Sequence, residues 1–233
     1  MNIIGLILAR AGSKRVPQKN TKILQDKPLI SWTIDTALAA PSINELFLST
    51  DCEESALIAK NSGIHVPWMR PAHLATDTAK SVDVILHALN WFEQEKKKID
   101  GLLILQPTSP FRTIDSIEKG IDLFKKSNKQ TVIGVSPAPA FPEWLFYVNN
   151  NNHLEPCLPQ DNINQRSQDL KPSYYINGSF YLIEPELLKK EKSFFTKQMI
   201  PLMIPALNEA LDIDSQEDWD LAENFLLNKF REI

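Results

Sequence analysis

The chain has 233 residues, 43% of them hydrophobic and 23% charged. That is the make-up of a globular protein long enough to bury a core without metal or disulfide staples. Its formal net charge of −4 argues against a general nucleic-acid or anionic-membrane surface, so any anion site must come from a local cluster of Lys and Arg. Cys52 and Cys157 lie far apart with no CxxC or Cys/His spacing, and read as free thiols of a cytoplasmic protein rather than one disulfide. The apolar opening 3–9 is too short to span a membrane, and its positive charges follow it, the reverse of a signal peptide.

Taken in chain order, the patterning predicts a strand at 3–9, a helix at 29–39, a strand at 46–50 and helices at 53–61 and 81–96. A strand at 102–106, a helix at 114–126 and a strand at 131–135 follow. Strands at 179–183 and 199–204 and a helix at 215–230 complete the series. The last helix opens Ser215-Gln216-Glu217-Asp218, a capping box. Strands alternating with helices predict parallel βαβ units, a layered α/β sheet, and ligands at the carboxyl ends of strands. The alternation breaks after Pro137, where prolines 137, 139 and 142 and aromatics Phe141, Trp144, Phe146 and Tyr147 crowd together. Residues 137–176 read as an insertion within one domain spanning 1–233, with Asn149–Asn152 as a hairpin turn and a second subunit within its reach.

The first strand runs into Arg10-Ala11-Gly12-Ser13-Lys14-Arg15-Val16-Pro17-Gln18-Lys19-Asn20, which holds four cations in an acidic chain. Gly12 permits a tight turn and close approach of a ligand. Backbone N–H groups under Arg and Lys suit a polyphosphate. The loop matches neither the P-loop nor the dinucleotide fingerprint, and a solvated basic loop is the competing reading. Two carboxylates, Asp212 and Asp214, flank Ile213; in an extended segment they face the same way while Ile213 packs inward. Beside a triphosphate such a pair suits Mg²⁺; by itself it reads as the acidic end of a strand.

The run Leu8-Ala9-Arg10-x-Gly12-Ser13-Lys14-x-Val16-Pro17-x-Lys19-Asn20 resembles the opening signature of the CMP–sialic acid synthetase family. That family takes in enzymes for sialic, legionaminic and pseudaminic acids, with Kdo cytidylyltransferases as distant relatives. The resemblance continues through Ser49-Thr50-Asp51, Arg70-Pro71, Thr76-Asp77-Thr78-Ala79, Gln106-Pro107-Thr108-Ser109-Pro110, Asn177-Gly178-Ser179-Phe180-Tyr181 and Asp212-Ile213-Asp214. The ordered set covers nearly the whole chain.

The resemblance implies a nucleotide-diphospho-sugar transferase-like fold, mostly parallel and flanked by helices, with a hairpin insertion used for dimerisation. It implies transfer of CMP from CTP to the C2 hydroxyl of a sialic or legionaminic acid, releasing pyrophosphate and supplying activated sugar for surface polysaccharide or glycan synthesis. Arg10, Ser13, Lys14, Lys19 and Asn20 would hold the triphosphate. Arg70 would read the cytosine edge with its planar fork of donors, Ala79 would offer a carbonyl to the cytosine amine, and Ser81 would contact ribose. Asp77 would fix this loop rather than touch the ligand. Gln106, Asn177 and Tyr181 would hold the sugar, and Arg166, supplied by the partner of a homodimer, would approach its carboxylate. An exposed loop arginine is the competing reading of Arg166. Asp212 and Asp214 would hold Mg²⁺, with Mn²⁺ as a substitute, and act with Arg10 and Lys19 in catalysis. One departure stands out: the family's usual residue after the Ser-Lys pair is Gly, and here it is Arg15. The alternatives are a pseudaminic acid or Kdo cytidylyltransferase, a glycosyltransferase, and a non-catalytic protein that binds nucleotide sugars.

Overall fold

The computed structural model describes residues 1–159 and 163–231. Residues 160–162 of the expected insertion, and 232–233 at the end of the expected domain, lie outside the described residues. The strands are β1 (Ile3–Ala9), β2 (Ile23–Leu24), β3 (Lys27–Pro28), β4 (Glu45–Thr50), β5 (Gly101–Leu105), β6 (Thr131–Pro137), β7 (Phe146–Val148), β8 (Leu154–Pro156), β9 (Tyr174–Ile183) and β10 (Met199–Met203). Interleaved with them are α1 (Leu29–Leu38), α2 (Glu53–Asn61), α3 (Ser81–Gln94), α4 (Ile114–Lys126), α5 (Pro185–Glu191) and α6 (Gln216–Arg231).

Six strands form the central sheet in the order β10-β6-β9-β5-β1-β4. Strand β1 pairs in parallel with β4 and β5, and β10 with β6. Alternate side chains serve two cores. On one face Ile3, Ile7, Leu46 and Leu103 meet Ile30 and Ile34 of α1, Ala59 of α2 and Ile117 and Phe124 of α4. On the other, Ile4, Leu6, Leu102 and Ile183 meet Ile85, Leu89 and Phe92 of α3 and Leu188 of α5.

Two features depart from simple alternation. Strand β9 runs antiparallel to both neighbours and begins at Tyr174, earlier than the sequence predicts. Among the described residues the connection from β6 holds the β7–β8 hairpin and two single 3-10 turns, and no α-helix carries the chain back to the far edge, as a parallel return requires. The hairpin itself turns through 149–152 as expected, with Asn149 Oδ1 accepting from the backbone of Asn151 and His153. Helix α5 and the small β2–β3 ribbon were not expected; both are too short to carry a period.

A third, smaller core lies beyond the sheet edge. Val16 of the basic loop, Ile213 of the acidic segment and Trp219, Ala222 and Leu226 of α6 pack together with Leu24 and Leu29. Helix α6 is started by the predicted box: Ser215 N donates to Asp218 Oδ2 at 2.8 Å, and Asp218 N to Ser215 Oγ at 3.2 Å. One apolar cluster therefore fixes both the cationic loop and the two carboxylates. Among the described residues no helix is long and apolar enough to cross a membrane, and both cysteines are free.

Candidate active site

Strands β1, β4 and β5 end at the same edge, where Arg10 and Gln106, after β1 and β5, line a cleft of about 510 Å³. It is lined by Arg10, Ser13, Lys14, Arg15, Lys19, Asn20, Arg70, Asp77, Ala79, Ser81, Gln106 and Asp214, among others. Ten of the fourteen residues singled out by sequence thus share one cavity.

The basic loop is built from its backbone outward. Ser13 N donates to Ala11 O at 2.9 Å, closing a three-residue turn on Gly12. A side chain at Gly12 would meet only the end of Arg10, at 3.9 Å, and the glycine is not needed for a left-handed backbone. Asp51 Oδ1 accepts from Ala11 N at 2.9 Å, and Asn20 Nδ2 donates to Arg10 O at 3.0 Å. Lys19, only 8% exposed, donates to Ile213 O at 2.6 Å and Asp214 Oδ1 at 3.0 Å. Asp77 accepts from Arg10 at 2.5 Å and pairs with Lys14, and these two cations hold its carboxyl below the usual range.

Arg70 is 7% exposed. Its Nε donates to Ser49 Oγ at 3.2 Å and its Nη2 to Ser49 O at 2.6 Å, which aims the guanidinium. Burial brings it down to about 10, with Asp51 opposing and Arg10 adding, so it is charged at neutral pH. Partly buried, His87 is held below its ordinary value by desolvation, then by His73 and Arg70.

The acidic pair is asymmetric. Asp212 is not among the residues lining the cleft but, like Gln106, lies close to Gly178; burial pushes its carboxyl up, a hydrogen bond from Thr108 opposes, and Asp214 adds to the rise. Its Oδ1 is buried with no hydrogen-bond partner. Asp214, half exposed, takes Lys19 on Oδ1 and Arg15 on Oδ2, each at 3.0 Å. Ile213 between them is fully buried, and its N–H donates to Thr108 O at 2.8 Å. An unpartnered buried carboxylate oxygen next to a second carboxylate fits a divalent cation. Among the described residues no three His, Cys, Asp or Glu are grouped to hold a metal, so such a cation would complete its shell with phosphate oxygens and water.

The expected sugar residues divide. Gly178, at φ +78°, brings the backbone so close that an added Cβ would lie 3.4 Å from both Asp212 Oδ2 and Gln106 Oε1. Tyr181, partly buried against Phe194, feels burial and then Asp212, which raise its hydroxyl pKa. Asn177 is buried, and its amide is engaged within the protein: Nδ2 donates to Ser136 Oγ, and Oδ1 accepts from Ser179 N and Oγ. In this single chain Arg166 does not line the cleft. It is 73% exposed and pairs with Asp169 of its own loop.

Sequence reasoning did not single out Arg112. It is buried, and donates to Ser179 O at 2.5 Å, Gln106 O at 3.1 Å and Thr33 Oγ1 at 3.4 Å, tying β5, β9 and α1 beneath the site. Burial brings it to about 10, while Glu209 and Asp212 favour its charge. In sequence it is an arginine after a Pro-Phe pair and before a helix cap, with no local sign of burial.

Comparison with known proteins agrees with this geometry. The sequence is 37% identical over 227 residues to the CMP-N,N'-diacetyllegionaminic acid synthase of Legionella pneumophila, covering 97% of each chain. It is 32% identical over 221 residues to an N-acylneuraminate cytidylyltransferase of Streptococcus agalactiae, covering 94% of this chain and 52% of that one. A solved CMP:2-keto-3-deoxy-manno-octonic acid synthetase, complexed with CTP, shares the fold at a TM-score of 0.74 and 14% identity, over 98% of this chain and 100% of that one. The profile of the cytidylyltransferase family matches residues 4–231. With a match that long and relatives that follow it throughout, the chain belongs to the cytidylyltransferase family.

Proposed function

We propose that this protein is a CTP-dependent cytidylyltransferase that transfers CMP to the C2 hydroxyl of a nonulosonic acid of the legionaminic or sialic class. The observation that carries this reading is the joining of a four-cation loop, a buried base-reading arginine and the Asp214 carboxylate in one cleft, with Asp212 two residues along the chain. The end-to-end likeness to a legionaminic acid synthase favours that sugar class.

In the reaction the sugar's C2 oxygen bonds to the α-phosphorus of CTP, the bond to the β-phosphate oxygen breaks, and the hydroxyl proton is lost to the medium. Arg70 and the Ala79 carbonyl read cytosine, and Ser81 meets the ribose. Arg10, Ser13, Lys14 and Lys19 bind the triphosphate and neutralise charge on the departing pyrophosphate. Asn20 braces the loop through the Arg10 carbonyl. Gln106, Tyr181 and the Gly178 backbone lie where the sugar must approach Asp212; Asn177 shapes that wall through Ser136 and Ser179. Asp212 and Asp214 would hold Mg²⁺, or Mn²⁺ in its place, which when bound supplies positive charge at the reacting phosphate.

Homodimerisation belongs to the same reading. Tyr147, Val148 and Leu154 of the hairpin and Tyr174, Tyr175 and Ile176 of β9 are exposed apolar side chains that a second copy would cover. It would also place Arg166 in a neighbouring cleft.

The test is pyrophosphate release from CTP with legionaminic, sialic and pseudaminic acids and Kdo in parallel. Preference for the first two supports the reading; turnover with Kdo alone, or with none of the four, overturns it.

A further inference from the structure

Two carboxylates that line the cleft hold the loop's four cations in pairs: Asp77 takes Arg10 and Lys14, and Asp214 takes Lys19 and Arg15. The partners of Asp214 are not equivalent. Lys19 is buried and anchored a second time by the Ile213 carbonyl. Arg15 reaches Oδ2 from a side chain 69% exposed, with no second hydrogen bond among the described residues. Holding a long exposed side chain against one oxygen contributes little, so this pair breaks when each side finds a better partner. For Arg15 that partner is a triphosphate, whose oxygens match the guanidinium fork. For Asp214 it is a divalent cation shared with Asp212, whose Oδ1 is buried and unpartnered.

We infer that Arg15 is a phosphate-binding residue that occupies Asp214 while the cleft is empty and moves to the triphosphate as the metal–nucleotide complex enters. The inference rests on the proposed CTP reading. It gives Arg15 opposite effects on the two ligands: competition with the cation for Asp214 Oδ2, and attraction for the nucleotide. Lys14 is the natural control, because it carries the same charge one residue away but pairs with Asp77.

The experiment measures Mn²⁺ binding to nucleotide-free protein by electron paramagnetic resonance, and CTP binding in EDTA by calorimetry. The proteins are wild type, Arg15→Ala, Arg15→Gln and Lys14→Ala. Both Arg15 variants are expected to bind Mn²⁺ about 3- to 10-fold more tightly and CTP more weakly by a similar factor. Lys14→Ala is expected to weaken CTP and leave Mn²⁺ unchanged. The inference is overturned if the Arg15 variants bind Mn²⁺ no better than wild type, if Lys14→Ala tightens Mn²⁺ equally, or if no protein binds Mn²⁺ without nucleotide. Wild-type pyrophosphate release from CTP, run alongside, reports the underlying reading. Turnover with an unchanged Mn²⁺ affinity removes only the exchange by Arg15, whereas absent turnover removes the reading itself.

Discussion

Replacing Asp212 by Asn is expected to make the protein more stable and far less active. The Asp212 carboxyl is pushed above the ordinary range, first by burial, and Asp214 adds to the rise. A raised folded value means that the folded protein binds a proton more readily than the unfolded chain does. At pH above that raised value the ionised carboxylate therefore subtracts from stability. The penalty shrinks as pH falls through the raised value, and vanishes below the ordinary carboxylate range. Asp212→Asn removes the charge, keeps the shape, and is expected to gain on the order of 1 kcal/mol at pH 7, near the low end for a poorly satisfied buried polar group. For a domain of this length that is a Tm rise of about 2–4 °C, fading as pH falls toward 4. Asp214→Asn is expected to do the reverse, because it leaves buried Lys19 facing only a carbonyl and frees Arg15. Turnover should drop about 10²–10³-fold in both, as when electrostatic stabilisation of a transition state is lost. The assays are melting scans at pH 7 and pH 4, and kcat at saturating CTP, sugar and Mg²⁺. A lower Tm for Asp212→Asn at pH 7, or near-normal kcat in both variants, would refute the reasoning.

Arg70→Ala should lower kcat/KM for CTP about 10- to 100-fold and narrow the preference over UTP, the scale of a lost charged hydrogen bond; an unchanged preference would place base reading elsewhere. Gly178→Ala, at a positive φ beside Asp212 and Gln106, should cost about 1–2 kcal/mol in stability and slow turnover with CTP binding intact, as calorimetry would report. Trp219→Ala, emptying the core shared by Val16 and Ile213, should cost about 3–5 kcal/mol in denaturant melts, and retention of full stability would count against α6 as the anchor of the site. Mixing inactive Arg166→Ala and Asp214→Asn proteins should restore activity in heterodimers; an active monomer in sedimentation would defeat the shared-site arrangement.

Much of this was legible in the sequence because it is local. Strand β1, helices α2 and α4 and the box that starts α6 follow from short-range period and capping, and the cationic loop is contiguous from Arg10 to Lys19. Inward packing of Ile213 between two carboxylates follows from the alternation of an extended chain. Tertiary structure alone decided the rest. The antiparallel course of β9 follows from a connection without a crossover helix, and Arg112 becomes a buried clamp only when β5, β9 and α1 converge on it. Asp212 and Asp214, two residues apart and alike in sequence, become an acid with one buried unpartnered oxygen and an ion-paired acid. Their difference is made by contacts such as Lys19–Asp214 and Arg15–Asp214, 195 and 199 residues apart along the chain. Those separations carry no periodic signal; they close only because Val16 and Ile213 are buried in the same core against α6.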